Sequence, residues 1–245
     1  IRSCLVGSEM CIRDRYIALP SEQAVTLPDA VLFEAGACLG IPLMTAVHAV
    51  SLLENIDRNS TVLVTGAASS VGAYAAQLLS RVHGVTVIGT VGSAAKAEYA
   101  KSLGVTHTID YKNENVAERI MALTASKGVQ GVIDMDFSTT APLAATGSIA
   151  NHSVIVSYGS NIVAEVALPF REFMFRCLSL RQFAVYELTK AQRAKALSEV
   201  QRLLQSGSIN HEIGGIYDLA DVAKAHIAVE TGNGGIPGNI CVKLP

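Results

Sequence analysis

An α/β fold built on a doubly wound parallel sheet of six strands is predicted by three features of the 245-residue chain. Short β-branched apolar runs alternate with helical patterns over residues 61–186, a spacing that implies crossover connections between parallel strands. The runs TVLVT and VTVIGT lack polar alternation, as strands buried on both faces do. Half the residues are apolar and 16% are charged, below the roughly 25% of ordinary soluble domains, so much of the chain is buried in sheet and helix interfaces.

The elements follow in order. Residues 1–15, IRSCLVGSEMCIRDR, show no periodicity and resemble a translated sequencing-adapter run met at the ends of unrelated reading frames. They are read as foreign, the alternative being an ordinary irregular N-terminus, and a foreign stretch would make the remainder a fragment. YIALP (16–20) reads as a short strand, Pro28-Asp29 starts a helical pattern through Ala37, and a second helix spans 43–53. Strand 61–65 is followed by helix 70–82, strand 85–90, helix 94–103, strand 106–110, helix 116–124, strand 131–135, helix 140–150, strand 153–158 and strand 181–186. The rhythm then breaks into an amphipathic helix (190–205), a strand (213–217), a helix (219–231) and a last strand, ICVKL. Six strands complete such a sheet, so the tail is expected to pack elsewhere.

Composition excludes several partners. No apolar run reaches the ~20 residues of a membrane-spanning helix, and 19 basic against 21 acidic residues, net charge −2, offer no attraction for nucleic acid or anionic membrane. A small molecule is the expected partner. Cys4, Cys11, Cys38, Cys177 and Cys241 are odd in number, widely spaced and never form C-x-x-C, which points to a reducing cytoplasm and away from structural zinc. Arg2, Glu9, Arg13, Asp14 and Arg15 interrupt any secretory apolar region.

The chemistry is carried by TVLVTGAASSVGAYAAQLL. Gly66 permits a tight turn after the first buried strand, and Gly72 lets the next helix approach that strand while its N-terminus faces a pyrophosphate, as in a Rossmann unit. Ser69, Ser70 and Val71 stand between them, and the serines can donate hydroxyl hydrogen bonds to phosphate. The bland alternative is a glycine-rich turn with no ligand. An NAD site places a carboxylate at the end of the second strand, but Gly89-Thr90-Val91-Gly92-Ser93 has none and Lys96 follows. Ser93 and Lys96 can bind a 2′-phosphate that a carboxylate would repel, so NADPH is the predicted cofactor. Taken alone, Lys96 could equally be a solvated helix lysine.

Taken together, LPDAVLFEAGACLGIPLMTAVHAV, VLVTGAASSVG, VIGTVGSAAKAEYAKSLGVTHTIDYKNEN, VIVSYGS and GGIPGNICVKL resemble the medium-chain dehydrogenase/reductase superfamily, in particular its zinc-independent NADPH:quinone oxidoreductases, the zeta-crystallin-like branch. The resemblance implies hydride transfer from NADPH to a quinone or enone-type acceptor. It implies cofactor contacts from Ser69 to Gly72, from Gly92, Ser93 and Lys96, from Tyr111 beside the 2′-phosphate and adenine, and from Ser138. Tyr158, Gly159, Ser160 and the backbone of Phe183, Ala184 and Val185 would receive the nicotinamide side, with Thr45 next to it. No catalytic residue is identified. Ile41 stands where the zinc-dependent branch places a cysteine and cannot bind metal; His48, on an apolar helix, reads as a core histidine.

The resemblance also implies a division into a remnant of a GroES-like catalytic domain (16–39), the NADPH-binding domain (40–186) and a return segment (187–245) packing on that catalytic domain. The parent would form a homodimer through the edge strand 181–186. Two other readings compete. Tyr186 and Lys190 have the Y-x-x-x-K spacing of short-chain dehydrogenases, although those require both on one helix face. A non-enzymatic NADPH-binding module is the other, since fold alone does not establish catalysis.

Overall fold

The computed structural model describes residue 20 and residues 24–162, 164–232 and 236–244; residues 1–15 and the strand expected from residue 16 lie outside them, apart from Pro20. The apolar runs become β1 (Thr61–Val64), β2 (Thr86–Val91), β3 (His107–Asp110), β4 (Val129–Asp134), β5 (Ile149–Ser157) and β6 (Ser179–Gln182). All pair in parallel, in the order β3-β2-β1-β4-β5-β6, the doubly wound arrangement the sequence predicts.

Strand side chains point alternately to opposite faces, and two cores result. Val62, Val64, Val87, Val91, Ile133, Val154 and Val156 pack with α2 (Gly40–Ser51), α3 (Ser70–Gln77) and α8 (Lys190–Ser206), α1 (Phe33–Ala37) leading into α2. Leu63, Ile88, Ile109, Val132 and Ile155 pack on the other face with α5 (Val116–Leu123), α6 (Phe137–Thr140) and α7 (Phe170–Phe175). Each such fully buried side chain contributes about 1.5–3 kcal/mol. Between β2 and β3, α4 (Ala94–Ser102) makes the crossover.

Several elements differ from expectation. The first helix begins at Phe33 instead of Pro28, because residues 28–31 are held as a turn by the Val31 N–H donating to the Pro28 carbonyl at 2.9 Å. The helix expected over 140–150 is replaced by α6 and a 3₁₀ turn, Ala141–Ala145. Pro142 suits a tight first turn, and Gly147 at φ +83° swings the chain directly into β5. The edge strand is Ser179–Gln182 and not 181–186: after Phe183 donates to the Ser157 carbonyl at 3.4 Å, Val185–Glu187 curl into a 3₁₀ turn closed by Glu187 N–H on Ala184 O at 2.9 Å.

The tail divides. A capping box between Thr189 and Gln192 starts α8, and Gly207 in the left-handed region ends it. Ala196, Val200, Leu203 and Leu204 recur at helical spacing and bury against α2 within the core on this side of the main sheet. Beyond it, β7 (Ile213–Asp218) and β8 (Asn239–Lys243) form a separate parallel pair with α9 (Val222–Glu230) as crossover, which gives the last strand a partner inside this chain.

Candidate cofactor site

Ligands of open parallel sheets sit beyond the carboxyl ends of the strands where the order reverses, here between β1 and β4. The expected residues other than Thr45, which lies on α2, follow strand ends: Gly66 after β1, Gly92 and Ser93 after β2, Tyr111 after β3, Ser138 after β4, Tyr158 to Ser160 after β5, and Phe183 to Val185 after β6.

The turn after β1 is shaped by its glycines. Gly66 has φ +61°, and any Cβ there would strike the thioether of Met135. A Cβ on Gly72 would overlap the Gly66 carbonyl oxygen, so α3 can start this close to β1 only with glycine. Ser69 caps α3, its Oγ accepting the Gly72 N–H at 3.2 Å, while Gly66 N–H donates to Thr90 Oγ1 at 2.9 Å. Ser70 is already engaged: its hydroxyl donates to Asn239 Oδ1 on β8 at 2.5 Å. Val71 packs inward on the core, leaving its backbone to the turn.

At the end of β2 a Cβ on Gly92 would lie 2.9 Å from the Tyr111 hydroxyl oxygen and 3.2 Å from Lys112 Cε. Both side chains therefore converge on the Gly92–Ser93 turn. Ser93 Oγ accepts the Lys96 N–H at 3.3 Å and caps α4. Asp110, at the end of the neighbouring strand β3, is held below its usual range by hydrogen bonds from the Asn113 side chain and the Lys112 backbone, so it is ionised and occupied. Lys112 is a residue that sequence reasoning passed over; its place next to Tyr111 was the available signal.

The opposite end is buried. His48 packs edge-on to Phe183 with ring centroids 4.7 Å apart, and burial lowers its pKa, consistent with a neutral core histidine. Thr45 Oγ1, Tyr158 Oη and Ser160 Oγ are buried with no hydrogen-bond partner among the described residues. Leaving such atoms unpaired costs about 1–3 kcal/mol each. Ser138 is committed elsewhere, donating to Asp136 Oδ1 at 2.5 Å. Burial works against ionisation of Asp136, but hydrogen bonds from Ser138 and from Asn161 hold its pKa below the usual value. Val185 points its side chain into the core, so only its backbone can serve a ligand.

These residues border two openings. Ser69, Ser70 and Lys96 share a cavity of about 290 Å³ with Tyr99, Glu212 and Asn239. Tyr158, Gly159, Ser160, Phe183 and Ala184 line a wider one of about 650 Å³. Thr45, Gly66, Gly92, Ser93 and Tyr111 line neither. Tyr186 and Lys190 do not share a helix face: the tyrosine sits in the Val185–Glu187 turn and the lysine opens α8. The short-chain dehydrogenase geometry is thus not met.

A family profile described as zinc-binding dehydrogenase matches residues 70–202, more than half of the chain, from α3 into α8. Quinone oxidoreductase of Pseudomonas aeruginosa is 31% identical over 211 residues, covering 85% of this chain and 64% of that protein. The crystal structure of Pseudomonas syringae pv. Tomato quinone oxidoreductase aligns with a TM-score of 0.78 at 27% identity, over 92% of this chain and 69% of that one. Escherichia coli quinone oxidoreductase complexed with NADPH aligns at 0.76 and 25% identity, over 91% and 69%. The chain spans 63% and 64% of the length of the pig and Pseudomonas aeruginosa quinone oxidoreductases. With its doubly wound sheet and a profile match across the glycine turn's helix and the strands beyond it, the chain belongs to the zinc-binding dehydrogenase family of the medium-chain dehydrogenase/reductase superfamily.

Proposed function

We propose that this chain carries the nucleotide-binding part of an NADPH-dependent oxidoreductase that delivers a hydride to a quinone or enone acceptor without zinc. The observation that carries the reading is the end of β2, where no carboxylate stands among residues 89–93 and Tyr111 and Lys112 close on Gly92. A 2′-phosphate there would meet a hydroxyl and cations instead of repulsion. The similarity to the Escherichia coli quinone oxidoreductase complexed with NADPH supports the same choice.

The residues present fit the cofactor. The turn Gly66 to Gly72 presents the N-terminus of α3 to a pyrophosphate; Gly92, Ser93, Lys96 and Tyr111 would hold the adenosine phosphate; Thr45, Tyr158, Gly159, Ser160 and the Phe183–Val185 backbone would border the nicotinamide. The orphaned hydroxyls of Thr45 and Ser160 are suited to its polar groups. When bound, the reduced nicotinamide supplies the hydride. Ile41 offers no metal ligand, which favours acceptors already activated for hydride addition over those needing carbonyl polarisation. Two copies pairing along the exposed edge of β6 would be the assembly, and no helix among the described residues is long and apolar enough to cross a membrane.

Fluorescence titration tests the cofactor: NADPH should bind at least about tenfold more tightly than NADH, a gap of about 1.4 kcal/mol, and Lys96→Ala should remove most of it. Equal affinities in the unsubstituted chain would overturn the reading.

A further inference from the structure

The sequence spaces its cysteines widely, yet the fold brings two together across 203 positions: Cys38 Sγ, at the end of α1, lies 3.4 Å from Cys241 Sγ on β8. Both are buried free thiols, whereas Cys177 is exposed. Cys241 also reaches the Glu34 carbonyl at 3.5 Å, so its side chain is already turned toward α1. Closing to a bond of about 2.05 Å needs only a small sulfur displacement. β8 matters because Asn239, two positions before Cys241, holds the Ser70 hydroxyl of the glycine turn.

We propose that Cys38 and Cys241 are an oxidative modification site, a dithiol that closes to a disulfide and fastens β8, with Asn239, to the segment leading into α2. Hydrogen peroxide is the oxidant. The first thiolate attacks a peroxide oxygen, the O–O bond breaks, and a sulfenic acid and water result. The second sulfur then attacks the sulfenic sulfur, the S–O bond breaks, and a second water leaves with the thiol proton. Two thiols and one peroxide thus give one disulfide and two waters. Burial first, then the neighbouring Cys241, push the Cys38 thiol up to about 12, so little Cys38 thiolate exists at neutral pH, and the burial of both sulfurs restricts access of peroxide, which makes closure slow. The site is a lasting cross-link and not a rapid sensor.

The test is exposure of the whole purified chain to hydrogen peroxide over hours, alkylation of remaining thiols, and non-reducing peptide mapping. A peptide joining Cys38 to Cys241 is expected, reversible by dithiothreitol, with a thermal midpoint raised by at least about 5 °C because the bridge closes a long loop. Cys177→Ser should keep both effects, while Cys38→Ser should lose both. Linked peptides involving only Cys4, Cys11 or Cys177, or sulfinic acid at Cys38 with no bridge, would overturn the proposal. The mapping needs no substituted protein, so a variant that fails to fold leaves it decisive, and its outcome does not depend on whether NADPH binds.

Discussion

The hydroxyl oxygen of Tyr111 stands 2.9 Å from the point a Cβ on Gly92 would occupy, and Lys112 Cε stands 3.2 Å from it. Alanine at 92 must displace both side chains, and because both are exposed they can move without damage to the core. Gly92→Ala is therefore expected to leave folding nearly unchanged while weakening NADPH binding about tenfold, or about 1.4 kcal/mol, and sparing NADH. Lys112→Ala should act in the same direction, more weakly in high salt because its charge is screened. Calorimetric titration of both nucleotides decides it: parallel losses for NADPH and NADH would show that the turn serves the fold and not the phosphate.

Thr45 shows stability and binding pulling apart. Its Oγ1 is buried without a partner among the described residues, so the free protein carries the desolvation cost of that hydroxyl. Thr45→Val keeps the shape and removes the cost, and should stabilise the unliganded chain by about 1 kcal/mol in urea. The same change should weaken cofactor binding, since the ligand that would satisfy the hydroxyl loses its donor. A valine variant that is less stable would mean the hydroxyl has a structural partner instead.

The buried strands and the glycine turn were legible because their signals are local: β-branched runs without polar alternation, then glycines at a strand end. What escaped depends on contacts between distant residues. FREFMF makes less than two helical turns, too short for its period to register, yet Phe173 is anchored in the core as α7. RQFAVYEL has strand composition, but past the Phe183 N–H the pairing stops, the Phe183 ring packs edge-on with His48 and Val185 turns into the core. Of the expected site residues, Ser138 follows β4 within α6, where Asp136 takes its hydroxyl. Lys112 reads as an ordinary surface lysine until the fold sets its stem beside Gly92, and no spacing rule joins Cys38 to Cys241.

Leu203 tests where α8 belongs. It is fully buried in the cluster that holds Val62 and Leu43, although it lies in the segment expected to face another domain. Leu203→Ala should cost about 2–5 kcal/mol in urea unfolding, whereas Ser198→Ala, exposed on the same helix, should stay within about 0.5 kcal/mol. A small loss at 203, matching that at 198, would show that the helix does not belong to this core.

Asp134 sets a pH dependence whose sign follows from its surroundings. Burial raises its pKa, opposed by hydrogen bonds including those from Thr140 at 2.5 Å and Thr65 at 3.1 Å, both on Oδ1, while Oδ2 is buried without a partner among the described residues. The unfolded chain ionises this group near pH 4, but the folded chain keeps its proton until a higher pH. Its stabilisation is full below the unfolded pKa and is lost as pH rises through the folded one. Asp110 and Asp136, with lowered values, act oppositely: their stabilisation is present above the unfolded pKa and lost as pH falls through the folded pKa. Asparagine at 134 keeps an oxygen for the two threonines and removes the titration, at the cost of burying an unpaired amide. Asp134→Asn should therefore be less stable than the parent near pH 4, with the difference shrinking as the pH rises toward 8. Thermal midpoints across that range decide it, and a constant difference would mean that Asp134 is ionised throughout, its hydroxyl donors outweighing burial.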